Sequence, residues 1–109
     1  MRAVIGPLPA DDGAWAYEVK WDGVRVVATI ADGAVGLRSS AGNDITARYP
    51  ELAGLAGLLG GHAAVLDGEV VAFADDGRPS FGRLQRRMHA DPARSPDLLV
   101  EVPIVYVVF

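Results

Sequence analysis

A chain of 109 residues builds one small domain or part of a larger one, with no room for two independent cores. Half of it is apolar and 22% is charged, which is a globular composition, and cysteine is absent, which excludes a disulfide scaffold and thiolate chemistry. The formal charge of −4, the lack of a long apolar run and the lack of a signal-like opening exclude a whole-chain basic footprint and a spanning helix; a cytoplasmic location is the expectation.

Residues 1–14 hold two Pro, two Gly and two Asp, and read as an irregular lead-in. Trp15–Lys20 alternates enough to be a strand, and Trp21-Asp22-Gly23 punctuates it. Arg25–Ile30 is β-branched and predicts a second strand. Asp32-Gly33 is a hairpin signal, and Ala34–Arg38 returns as a third strand. Pro50–Leu59 predicts a short helix with Leu52, Leu55, Ala56 and Leu59 on its apolar face, ended by Gly60-Gly61. Ala63–Leu66 and Glu69–Ala74 read as strands either side of Asp67-Gly68. Ser80 suits the N-cap of a helix over Phe81–Met88, whose Phe81, Leu84 and Met88 share one face. Ile104–Phe109 is a continuous apolar run, consistent with a buried strand. Strands with two short helices inserted predict an α+β fold with an antiparallel-rich sheet.

The cations are uneven. Lys20 is the only lysine, against nine arginines. Arginine stays protonated in proteins, whereas lysine can lose its proton and act as a nucleophile. Free lysine at pH 7 is neutral in roughly one molecule in 2,500, so a nucleophilic lysine needs help from its surroundings. Lys20 opens the pattern Lys-x-Asp-Gly-x-Arg, made by Lys20, Asp22, Gly23 and Arg25. Gly23 permits close approach of backbone to a ligand, and Arg25 can grip an anion with two donors. A surface lysine before an ordinary Asp-Gly turn is the plain alternative. Residues 78–94 hold five Arg and one Asp, with Arg83, Arg86 and Arg87 opposite the apolar face of the predicted helix. That stripe is either a solvated helix face or a contact surface for phosphate backbone. His62 and His89 have no partners at ligand spacing, and no protein metal site is visible.

Four stretches occur in order: Glu18–Arg25, Leu37–Glu51 (Leu-Arg-Ser-Ser-Ala-Gly-Asn-Asp-Ile-Thr-Ala-Arg-Tyr-Pro-Glu), Val65–Val71 (Val-Leu-Asp-Gly-Glu-Val-Val) and Val105–Phe109. Together they resemble the nucleotidyltransferase (adenylation) domain of ATP-dependent DNA ligases. Pro79–Met88 makes the bacterial end-joining ligases the most similar branch. The resemblance implies a partial ATP-grasp-like domain. It implies that Lys20 attacks the α-phosphate of ATP, that Glu18 meets the adenine amino group and that Arg25 contacts phosphate. It further implies that Glu69 contacts the ribose and Phe109 stacks on adenine. ATP is the implied cofactor, with Mg²⁺ arriving on its phosphates, and nicked or broken double-stranded DNA is the implied partner. An RNA-directed relative would share the first signature, but Arg48–Leu52 and Pro79–Gly82 favour the DNA enzymes.

Two departures accompany the resemblance. The family's second motif has Ser-Arg-x-Gly where this chain has Ser39-Ser40-Ala41-Gly42, so Ser40 stands in the arginine's place and Arg38 lies two residues earlier. The family's acidic motif, paired lysines and oligonucleotide-binding barrel do not occur in these residues. Residues 15–109 are therefore expected to be the N-terminal part of an adenylation domain, completed on the same or a separate chain and inactive alone. A non-catalytic nucleic-acid-binding or interaction module on the same scaffold is the alternative.

Overall fold

A computed structural model describes residues 5–91, 93 and 96–109. Strand β1 (Val24–Ala31) is the β-branched stretch, and it turns through Asp32 and Gly33 into β2 (Ala34–Ser39). Both turn residues have positive φ, 51° and 76°, the primed geometry whose twist matches the strands it joins. Strand β3 (Ala64–Ala72) pairs antiparallel with the other side of β1, and β4 (Ile104–Val108) pairs antiparallel with β3. The sheet order is β2-β1-β3-β4.

Alternation along the strands sorts side chains to two faces. Val26, Ala28, Ile30, Leu37, Val70 and Ala72 point to one face and are buried. Helix α1 (Leu55–Leu58) with the 3₁₀ turn Pro50–Gly54 before it, α2 (Phe81–Met88) and α3 (Asp97–Glu101) belong to this core. Leu52, Leu84 and Val102 are buried in it, with Leu55, Ala56, Leu59, Phe81, Met88 and Leu98 packed around them. The Ser80 hydroxyl accepts from the Arg83 amide at 3.4 Å, so α2 starts where the cap residue places it.

Four elements differ from the sequence reading. Trp15–Lys20 belongs to no strand among the described residues and is exposed along its length. Alternation alone does not make a strand; a ladder partner is needed, and no strand pairing includes these residues. The predicted helix over 50–59 is a 3₁₀ turn followed by four α-helical residues, because three glycines at 54, 57 and 60 and the proline at 50 weaken a long helix. Asp67-Gly68 is no turn, since β3 runs straight through it. A Cβ on Gly68 would overlap the Val107 carbonyl and the Tyr106 ring. The glycine serves close strand packing, and the Tyr106 hydroxyl lies 2.9 Å from the carbonyls of both Val26 and Leu66. Finally, β4 is an edge strand, with Val105, Val108 and Phe109 each about half exposed or more. A run of apolar residues reads as buried on both faces, yet only Ile104 and Tyr106 join the core.

Candidate nucleotide site

Among the described residues, the α-helices all pack on the core face, and the second face of the sheet has none on it. Register places Arg25, Glu69 and Val107 in one row across β1, β3 and β4, and Arg38, Val27 and Asp67 in the next, across β2, β1 and β3. Phe109 extends β4 beside Asp67, with its amide donating to the Asp67 carbonyl at 3.1 Å.

Asp67 organises this face. Its carboxylate takes two hydrogen bonds from Arg25, from Nε at 3.0 Å and from Nη2 at 2.5 Å. The hydrogen bonds hold the Asp67 carboxyl below, and the Arg25 guanidinium above, their ordinary pKa values. The Arg25 guanidinium also lies over the Phe109 ring, 5.8 Å from its centre. Both groups are partly open to solvent, so the pair fixes orientation more than it stabilises the fold. Glu69 stands next to this pair, and its Oε2 is buried with no hydrogen-bond partner. A buried carboxylate oxygen without a donor is costly, about 1–3 kcal/mol, and such groups concentrate where a ligand supplies the donor.

The Lys20 segment joins this face at the far end of β3. Trp21 meets Phe73 edge to face, with ring centres 6.3 Å apart. Gly23 presses on β3, where a Cβ would overlap the Val70 carbonyl and crowd Val71. Val71 is buried although it lies on the helix-free face. Two residues, Trp21 and Asp22, lie between Lys20 and Gly23, so the Lys20 Cα lies within about 11 Å of the Gly23 Cα. Lys20 and Glu18 are themselves exposed and form no hydrogen bond or ion pair with a described residue. The structure thus gathers Arg25, Glu69 and Phe109, and leaves Glu18 and Lys20 on an exposed segment anchored beside them.

Arg38 is on the same face; its Nη1 donates to the Gly42 carbonyl at 3.1 Å, and Ser40 is exposed in the turn after β2. Asp67 is the residue that sequence reasoning missed, because Asp-Gly signals a turn when its strand partners are unknown.

The arginine stripe on α2 needs correction. Arg87 is 2% exposed, and its guanidinium binds both Glu51 oxygens, the Val102 carbonyl and the Arg48 carbonyl. It also lies over the Tyr49 ring. Arg87 is a core tie and is out of reach of DNA. Arg83 pairs with Asp75 at 2.6 Å and Arg86 with Glu101 at 2.7 Å, so much of the stripe's charge is neutralised within the domain. Among the described residues no group of three or more acidic or histidine side chains is placed to hold a metal ion.

Residues 8–109 match the family described as ATP dependent DNA ligase domain. The chain belongs to that family. Relatives include the multifunctional non-homologous end joining DNA repair protein LigD of Mycobacterium tuberculosis, 51% identical over 73 residues. That alignment spans 67% of this chain and 10% of LigD. DNA ligase C1 of Mycolicibacterium smegmatis is 32% identical over 105 residues, spanning 94% of this chain and 30% of the relative. The solved mycobacterial DNA ligase D complexed with ATP and MES superposes with a TM-score of 0.68 at 38% identity. It covers 84% of this chain and 27% of that one. The ligase-domain chain described here thus spans about a tenth of the LigD proteins it resembles and about a quarter of the solved ligase. The antiparallel four-stranded sheet and its short helices match that ligase fold.

Proposed function

We propose that this ligase-domain chain forms the nucleotide-capturing side of an ATP-dependent DNA ligase acting on nicked or broken duplex DNA. The observation that carries the reading is the helix-free face. There an oriented arginine, a buried carboxylate oxygen lacking a donor and an exposed aromatic ring adjoin the anchored Lys-x-Asp-Gly segment. The relatives named for end joining and the related ligase solved with ATP support the same choice of substrate.

The residues have distinct tasks. Phe109 stacks on adenine, and Glu18 accepts from its amino group. The unpartnered Glu69 oxygen accepts from a ribose hydroxyl, which removes its desolvation penalty. Arg25, held by Asp67, presents its remaining N–H groups to phosphate. The neutral Lys20 amine attacks the α-phosphorus. A nitrogen–phosphorus bond forms, the bond to the bridging oxygen breaks, pyrophosphate leaves and the amine proton passes to solvent. The adenylyl group then moves to a DNA 5′-phosphate, and the 3′-hydroxyl displaces AMP to seal the nick. Mg²⁺ would enter with the triphosphate, held mostly by phosphates and water. The intracellular, cytoplasmic setting belongs to this reading; no helix among the described residues is long and apolar enough to cross a membrane.

Lys20 has no partner on this face, which favours a second reading as a binding module without chemistry. The two are separated by incubating a ligase containing this chain with Mg²⁺ and ATP labelled at the α-phosphate. Acid-labile label on this segment, lost in Lys20→Ala, is the expected result. Label that persists in Lys20→Ala removes Lys20 as the nucleophile, and no label at all leaves the binding module.

A further inference from the structure

Charge on the helix-free face is poorly matched to a triphosphate. Arg25 has two of its nitrogens committed to Asp67, and Asp67 and Glu69 are themselves acidic. A polyanion bound here needs a cation that is not already paired.

Arg38 meets that need. It faces Val27 across β1 and β2, and Leu37 before it is buried in the core, so its side chain rises on the helix-free face. It is exposed and forms no ion pair with a described residue. Among the described residues its side chain donates to the Gly42 carbonyl, in the turn closed by Gly42 N–H to the Ser39 carbonyl and Ser39 N–H to the Asn43 carbonyl. Val26 pairs with Ser39, so this turn lies at the Arg25 end of the hairpin. Asp44, the bridge partner of Arg38, accepts from the Thr46 amide at 2.9 Å; this bond, with the nearby Arg38 charge as a smaller cause, keeps its carboxyl below the usual range, although the two side chains form no ion pair. A depression of about 400 Å³, lined by Thr29, Gly36, Arg38 and Asp44 among others, opens alongside.

We infer that Arg38 binds a phosphate group of the nucleotide's triphosphate, working beside Arg25 and supplying the cation that Ser40 does not. The inference rests on the reading of this face as the nucleotide site. Titration calorimetry of the 109-residue chain with ATP, with adenosine and with a nicked duplex tests it. Arg38→Ala should weaken ATP about tenfold or more, leave adenosine unchanged, and be partly rescued by Arg38→Lys. The inference is overturned, with the site reading intact, if Arg38→Ala leaves ATP affinity unchanged while Arg25→Ala or Phe109→Ala lowers it. Equal losses for ATP and adenosine overturn it by showing an effect through the fold. A loss confined to the duplex overturns it by assigning Arg38 to backbone phosphate. If the wild type does not bind ATP, or if all three variants bind as the wild type does, the site reading fails and the inference fails with it.

Discussion

On one face of the sheet, Val26, Ala28, Leu37 and Val70 lie under helices and turns and are sealed from water. One residue along the same strands, Arg25, Arg38, Asp67 and Glu69 stand where no helix covers them. The covered face is apolar apart from Arg87, whose donors are met by Glu51 and two carbonyls. The uncovered face keeps a buried Glu69 oxygen with no donor among the described residues. Stability therefore comes from the first face, and the second carries the polar groups of the proposed nucleotide site.

This contrast breaks most visibly at Arg87. Arg87→Ala leaves Glu51 and two carbonyls without their donor, and should cost about 3–5 kcal/mol in chemical denaturation. A cost below about 1 kcal/mol would mean that the guanidinium is not the tie between α2 and the turn at Pro50. Glu69→Met tests the other face. Removing the unpartnered oxygen should hold or raise stability, by about 1–3 kcal/mol at most, while nucleotide capture is lost. Clear destabilisation would mean that Glu69 supports the fold and is not held for a ligand.

Smaller effects sharpen the comparison. Arg83→Ala with Arg86→Ala should change stability by less than about 1 kcal/mol per pair. The logarithmic salt slope of DNA binding should fall by less than about one per arginine, because each already has an acidic partner. A larger fall would restore the α2 stripe as a DNA contact. The Arg25–Asp67 pair gives a pH signature. Asp67 has its folded pKa lowered, chiefly by the Arg25 hydrogen bonds, from an ordinary 3.8. Its contribution is present above that value and is lost as pH falls through the lower folded value. The melting difference between wild type and Asp67→Asn should be constant from pH 7 down to the carboxylate range and shrink below 3.8. A difference that changes near pH 6 would point to another group.

The covered face was largely legible in the sequence. The β-branched run at 25–30, the Asp32-Gly33 turn with its return strand at 34–38, and the Ser80 cap each depend on neighbours close in the chain. Leu52, Leu55 and Ala56 kept their apolar face even though the helix around them is broken. What failed depends on distant partners. Asp67-Gly68 looks like a turn until Tyr106, some forty residues on, is seen to need the space over Gly68. Arg87 looks like surface until Glu51 and Val102 are brought to it. On the uncovered face, motif resemblance pointed to Arg25, Glu69 and Phe109, which strand register brings together. It could not foresee that Asp67 would hold both the Arg25 side chain and the Phe109 backbone.

The central claim is that ligand binding belongs to the uncovered face. Titrating ATP into isotopically labelled protein and following backbone amide resonances tests it residue by residue. The account predicts shifts concentrated at Arg25, Arg38, Asp67–Glu69 and Phe109, with Leu84, Arg87 and Tyr49 unmoved. Shifts that instead gather along α2, or no shifts at all at saturating ATP, would contradict it.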